Sequence, residues 1–206
     1  MDKYTLSHRL KVGFEALGLS HLDPEPFVQY LALLVQWNRA YNLTAVRDAE
    51  EMVGRHILDS LAIIPYLRGS RWLDVGTGPG LPGIPLALAH PNAELALLDS
   101  NGKKTRFLRE VVGKLSLSQV EVVESRVEIY HPTRAFDTVV SRAFSALEPM
   151  VEKTQHLIDA RGLWLAMKGR VPEDELIHLG KSYVTRTYTV PGVFGERSCI
   201  LIEPSS

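Results

Sequence analysis

The stretch LDVGTGPGLPGIP, Leu73 to Pro85, limits the possible folds more than any other part of this chain. Gly76, Gly78, Gly80 and Gly83 alternate with Pro79, Pro82 and Pro85, directly behind an apolar run that carries Asp74. Glycine tolerates positive φ and lets a backbone approach a neighbour without a Cβ in the way. Proline cannot continue a central strand. A chain with this spelling leaves a buried strand, turns tightly and enters a helix whose first N–H groups face anything bound beyond the strand end.

The rest of the sequence supplies the sheet. From Gly69 onward, apolar runs alternate with helical stretches. The runs Arg71–Val75, Glu94–Leu98, Val120–Glu124, Phe136–Ser141 and Leu163–Lys168 read as strands; Ile84–His90, Lys103–Leu115 and Leu147–Ile158 read as helices. Strands that are apolar nearly throughout belong in a parallel sheet covered on both faces. Tyr183–Val190 and Ser198–Glu203 alternate like an antiparallel pair, with Pro191–Gly195 as their turn. Before Gly69 the spacing is helical. Leu6, Leu10, Phe14 and Leu17 form one face and Gly18 a stop; Pro26 opens a second helix with Phe27, Tyr30, Leu31, Leu34 and Trp37 aligned, leaving through Asn38–Asn42. A third helix is expected from Ala49 to Leu67, with Met52, Val53, His56, Ile57, Ser60, Leu61 and Ile64 inward and Pro65 ending it. The expected organisation is an N-terminal helical cap, residues 1–68, on a doubly wound, Rossmann-like α/β core, residues 69–206, with C-terminal antiparallel strands, the two forming one compact unit.

The glycine loop fits two frames. Asp74-x-Gly76-x-Gly78-x-Gly80 is one; Gly78, Gly80 and Gly83 also satisfy the dinucleotide spacing G-x-G-x-x-G. Asp74 favours the first, because a carboxylate on a buried strand must find donors, from the loop's own amides or from a ligand. Asp99 closes the second strand about 20 residues beyond the loop, where an acid accepts hydrogen bonds from ribose hydroxyls. Asp99 is equally placed to cap the next helix, a role Ser100 or Asn101 can also take. The formal net charge of −1 provides no global attraction for nucleic acid, so any such partner must use a local basic face. Cys199 is the single cysteine, which excludes an internal disulfide and a cysteine metal cluster and points to a reducing, cytoplasmic setting. The first ten residues lack the apolar core of a signal peptide, and no run is long enough to span a bilayer.

Asp-x-Gly-x-Gly-x-Gly followed by a ribose acid resembles class I S-adenosylmethionine methyltransferases. The blocks NLTAVRD (Asn42–Asp48), RHILDS (Arg55–Ser60), DVGTGPGLPGIPLA (Asp74–Ala87), LLDS (Leu97–Ser100), FDTVVSRAF (Phe136–Phe144) and GER (Gly195–Arg197) together resemble the bacterial RsmG (GidB) family across nearly the whole chain. That resemblance implies a seven-stranded class I sheet with a helical extension, S-adenosylmethionine as cofactor and N7 of a guanosine in 16S ribosomal RNA as target. It implies cofactor contacts at Gly76, Leu81, Val127, Glu128 and Arg142. To these the residue reading adds Asp74, Gly78, Gly80, Asp99 and Ser100.

Arg142 and Lys168, each following a strand, are the candidates closest to the reacting atoms, though Arg142 also suits a structural ion pair. Arg47, Arg55 and His56 of the cap, Lys103 and Arg106 of a basic helix run that includes Lys104 and Arg109, and Arg197 are the candidates for RNA. For that run a solvated helix surface is the competing reading. His56, on an otherwise apolar face, reads more readily as a core histidine, with Asp59 available as its partner three residues along. Trp37, Tyr41 and Phe144 are available for base stacking or for the core. No metal is expected, and a monomer working on 16S RNA or an assembling small subunit, without a membrane, is the expected state. SRAF is not the Asn/Asp-Pro-Pro-aromatic element of amino methylation, and Cys199 lies on a strand rather than in a site loop, which disfavours cytosine C5 chemistry. Three rivals remain at this point: a nicotinamide-dependent oxidoreductase using the second glycine frame, a small-molecule methyltransferase, and a ribosome-assembly protein that has lost catalysis.

Overall fold

The computed structural model describes residues 2–204. Helix α1, Lys3–Ala16, starts where the Asp2 carboxylate accepts from the Tyr4 and Thr5 amides and buries Leu6, Leu10 and Phe14. Helix α2, Glu25–Tyr41, has Pro26 in its first turn and buries Phe27, Tyr30, Leu31 and Leu34. The third expected helix is not continuous. Ala49–Met52 (α3) is capped by Asp48; Val53–Leu58 then widens into a π-helix; Asp59–Leu61 (α4) resumes α geometry; and Ile64–Tyr66 is a 3₁₀ turn. Pro65 has no N–H to offer the Leu61 carbonyl, which stops the α ladder.

The core is a single seven-stranded sheet in the order β3-β2-β1-β4-β5-β7-β6. Its strands are β1 Arg71–Val75, β2 Glu94–Asp99, β3 Val120–Glu124, β4 Phe136–Arg142, β5 Ile158–Lys168, β6 Tyr183–Val190 and β7 Val193–Ile202. The first five pair in parallel, whereas β7 lies antiparallel between β5 and β6. Helices α5 (Gly83–Ala89), α6 (Gly102–Lys114), α7 (Leu147–Thr154) and the short α8 (Glu173–Ile177) complete the chain. Both faces of the sheet are buried. Leu95 and Leu97 of β2 pack with the cap, α5 and α6, while Ala96 and Leu98 pack on the α7 side with Leu147 and Met150.

The departures from expectation are local. Helix α7 ends at Thr154 and β5 starts at Ile158, because Ile158 already pairs with Phe136. The hairpin turn shrinks to Pro191 and Gly192, with β7 beginning at Val193. Parallel pairing carries the ends of β1, β2, β4 and β5 to one edge, so Gly76, Asp99, Arg142 and Lys168 emerge on the same side of the molecule.

Candidate active site

Asp74 holds the glycine loop from beneath. It is fully buried, and its Oδ2 accepts from the Thr77 hydroxyl at 2.6 Å and the Gly83 amide at 2.8 Å. Burial pushes its carboxyl up to about 6, against the pull of those two donors. The loop above turns through positive φ at Gly76 (66°) and Gly80 (95°). A Cβ at Gly76 would run into the Phe144 ring, and one at Gly80 into Ile84 and Leu108. The cap braces the loop from outside, since the buried Tyr30 hydroxyl donates to the Pro79 carbonyl at 2.9 Å.

A cleft of about 390 Å³ opens beyond the strand ends. Gly76, Asp99, Ser100, Val127 and Glu128 line it, together with Lys104, Ala143 and Phe144. The Asp99 carboxylate accepts from the Gly78 amide (3.0 Å) and the Asn101 amide (2.9 Å). Asn101 itself caps α6 by accepting from the Lys103 amide, so neither Asp99 nor Ser100 fills that role. Asp74, Gly78, Gly80 and Leu81 shape the loop and are not among the residues lining this cleft. Glu128 is paired with Lys153 at 3.3 Å; its own amide and that lysine hold its carboxyl below the usual range.

A second cleft, about 350 Å³, lies on the other side of Ala143 and contains Arg55, His56, Asp59, Arg142, Lys168, Tyr188 and Arg197. Arg142 faces this cleft rather than the first. It donates to the Arg55 carbonyl (3.0 Å) and to His56 Nδ1 (3.3 Å), and pairs with Asp59 at 3.4 Å. A guanidinium only donates, so Nδ1 of His56 accepts and Nε2–H donates to the Thr44 hydroxyl at 2.9 Å. Burial and the Arg142 charge push His56 down to about 4, which keeps it neutral. With both nitrogens engaged and 3% exposed, His56 is a satisfied buried histidine with no free ring nitrogen to offer. Asp59 does not partner it. The π-turn separates the two along the helix, and Asp59 pairs with Arg142 and Arg197 instead. Burial raises the Asp59 carboxyl while both arginines oppose the rise. Lys168 donates to both Glu175 oxygens, at 3.0 and 2.9 Å.

Of the remaining candidates, only Arg55 and Arg197 reach the second cleft. Arg47 binds the Asn42 side chain, Arg55 pairs with Glu51, and Lys103 and Arg106 are exposed on α6. Trp37 and Tyr41 stack on each other, and Trp37 also meets Phe107, which places it against α6. Sequence reasoning missed Tyr188, whose inward position follows from strand alternation once the orientation of β6 is known, and Ala143, at φ 59°.

The strand order with one reversed strand, a glycine loop after β1 and an acid after β2 together define a class I S-adenosylmethionine-dependent methyltransferase. A methyltransferase structure from Geobacter sulfurreducens superimposes with a TM-score of 0.61 at 16% identity, covering 86% of this chain and 89% of that one. The family model described as rRNA small subunit methyltransferase G (GidB) matches residues 23–197, and the chain belongs to that family. The ribosomal RNA small subunit methyltransferase G of Legionella pneumophila (strain Philadelphia 1) is 57% identical over 202 residues, covering 98% of this chain and 97% of that protein. The protein of the same name from Pseudomonas syringae (strain B728a) is 48% identical over 201 residues, covering 95% and 94%.

Proposed function

We propose that the chain moves a methyl group from S-adenosylmethionine in the first cleft to guanine N7 of 16S ribosomal RNA in the second. The observation that carries this reading is that the two clefts share Ala143 as a common wall. The first cleft suits the cofactor: its volume falls in the ligand-pocket range of roughly 300–1,000 Å³, and its Asp99 carboxylate has acceptor capacity beyond the Gly78 and Asn101 amides and the Lys104 ammonium at 3.4 Å. Asp99 would hold the ribose hydroxyls, Ser100 would stand beside them, the Val127 amide would meet the adenine ring, and Glu128 would accept from its amino group. Gly76 would allow close approach of the backbone.

Bound S-adenosylmethionine would supply an electrophilic methyl on a sulfonium, for which the N7 lone pair is the nucleophile and the neutral thioether the leaving group. N7 carries no proton, so no general base is needed, and the work of the protein is alignment. Arg142, fixed by Arg55, His56 and Asp59, and Lys168, fixed by Glu175, provide the rigid rim for that alignment. Residues 1–68 would serve as the recognition cap on a catalytic core of residues 69–206. Arg47, Arg55, Lys103, Arg106 and Arg197 are the proposed phosphate contacts. A neighbouring groove of about 650 Å³ shares Arg55 and Arg197 with the second cleft and carries Phe194, which supports a path for flanking RNA. The working unit would be a cytoplasmic monomer acting on naked 16S RNA or on an assembling subunit.

The test is to incubate the protein with labelled S-adenosylmethionine and deproteinised small-subunit RNA, and to identify the product by mass spectrometry of the digest. The expected product is 7-methylguanosine at one site, which mild reduction and aniline convert to a chain break. Label on a cytosine or an exocyclic amine would overturn the reading.

A further inference from the structure

Two polar atoms of the second cleft have no role in the alignment just described. Asp59 Oδ1 and the Tyr188 hydroxyl are buried without a hydrogen-bond partner among the described residues, and both side chains line the cleft. Arg197 Nε lies 3.2 Å from Asp59 Oδ1. The arginine faces the oxygen as an ion-pair partner and occupies at most one of its lone pairs, so Oδ1 keeps acceptor capacity to spare. Asp59 is 6% exposed, so water does not make up the deficit. An unmatched buried carboxylate oxygen is unfavourable unless a ligand completes it.

The chemistry of the bases decides which ligand. A carboxylate only accepts. Guanine offers two adjacent donors on its Watson–Crick edge, N1–H and N2–H; adenine presents an acceptor at N1 and no donor at C2. A base taken out of its stack is read on that edge, which leaves N7 free to face the methyl donor. We propose that Asp59 selects guanine by accepting from N1–H and N2–H of the target base, with the Tyr188 hydroxyl donating to O6. This rests on the reading that guanine N7 is the target.

The same contact favours the reaction. As the C–N bond forms at N7, the purine gains positive charge and N1–H becomes a stronger donor. The bond to Asp59 therefore strengthens toward the transition state, which is the condition for raising turnover as well as binding. The Asp59 carboxylate also offsets Arg142 and Arg197, which would otherwise repel a cationic base.

Inosine tests this, since it keeps N7, O6 and N1–H but lacks the 2-amino group. With small-subunit RNA carrying inosine at the methylated position, wild-type kcat/KM is expected to fall roughly ten- to hundredfold, the loss of one charge-assisted hydrogen bond. Equal rates on the two RNAs would overturn the proposal without any variant. Asp59→Asn, with cofactor affinity by calorimetry as the check on folding, should treat the two RNAs within a few-fold of each other. A variant that loses rate on both but keeps the wild-type ratio would show Asp59 to be structural only, and would also overturn it. If Asp59→Asn does not fold, Asp59→Glu keeps the charge for the arginines while displacing the carboxylate, and the ratio must shrink there too. Absence of 7-methylguanosine from the wild-type reaction on the guanosine RNA would instead refute the target assignment itself.

Discussion

Asp74 and His56 are both buried and both feel the Arg142 charge, yet burial drives them in opposite directions, to about 6 and about 4. The consequence is a pair of opposed pH slopes. Between about 4 and 6.5 the unfolded chain binds a proton at His56 that the native protein refuses, so this residue costs stability as pH falls through that window. Between 3.8 and about 6 the native protein binds a proton at Asp74 that the unfolded chain releases, so this residue costs stability as pH rises. The two slopes largely cancel in the wild type. Denaturant titrations from pH 4 to 6.5 should show Asp74→Asn losing more stability on acidification than wild type, and His56→Gln losing less. Parallel curves for all three proteins would contradict these assignments.

The hydrogen bond from α2 to the glycine loop is made by one hydroxyl. Tyr30→Phe leaves the Pro79 carbonyl without its partner at a part-buried contact, and should cost about 0.5–1.5 kcal/mol. Because that carbonyl belongs to the loop, cofactor affinity should drop along with stability, which calorimetry on the folded variant would measure; unchanged affinity would mean the loop stands without its brace. Elements whose signal is local were legible from sequence. Leu6, Leu10 and Phe14 announce α1, and the apolar runs announce β1 to β5. The π-turn at Val53–Leu58 was not, because its apolar spacing matches a continuous helix; Gly54 within it packs closely against Val193 of the hairpin. The first cleft was legible for the same reason as the strands, since Gly76 and Asp99 sit at fixed offsets from their ends. The second was not. Asp59, Arg142 and Arg197 come from three separate elements, and the i, i+3 spacing suggested His56 as the partner of Asp59 when the widened turn gives it two arginines.

At the scale of the molecule, cap and sheet share one apolar interior. Leu31, Leu34, Ile57 and Leu61 belong to the same buried cluster as Leu97, Phe107 and Leu108, and the Tyr30 and Phe107 rings stand 6.4 Å apart. A variant beginning at Gly69 should therefore lose its cooperative thermal transition and its near-ultraviolet dichroism, while the full chain melts in a single step. A truncated core that melts cooperatively would show the cap to be dispensable. The placement of β7 has another consequence, in the order of events during synthesis. Strand β7 is made after β5 and β6, yet it lies between them and is their shared neighbour. Until Val193–Ile202 has cleared the ribosomal exit tunnel, β6 has nothing to pair with and β5 has one open side. Arg197 arrives on that same strand. Translation thus delivers the last wall of the second cleft and the join of the sheet together, and a growing chain cannot close that cleft ahead of its own folding.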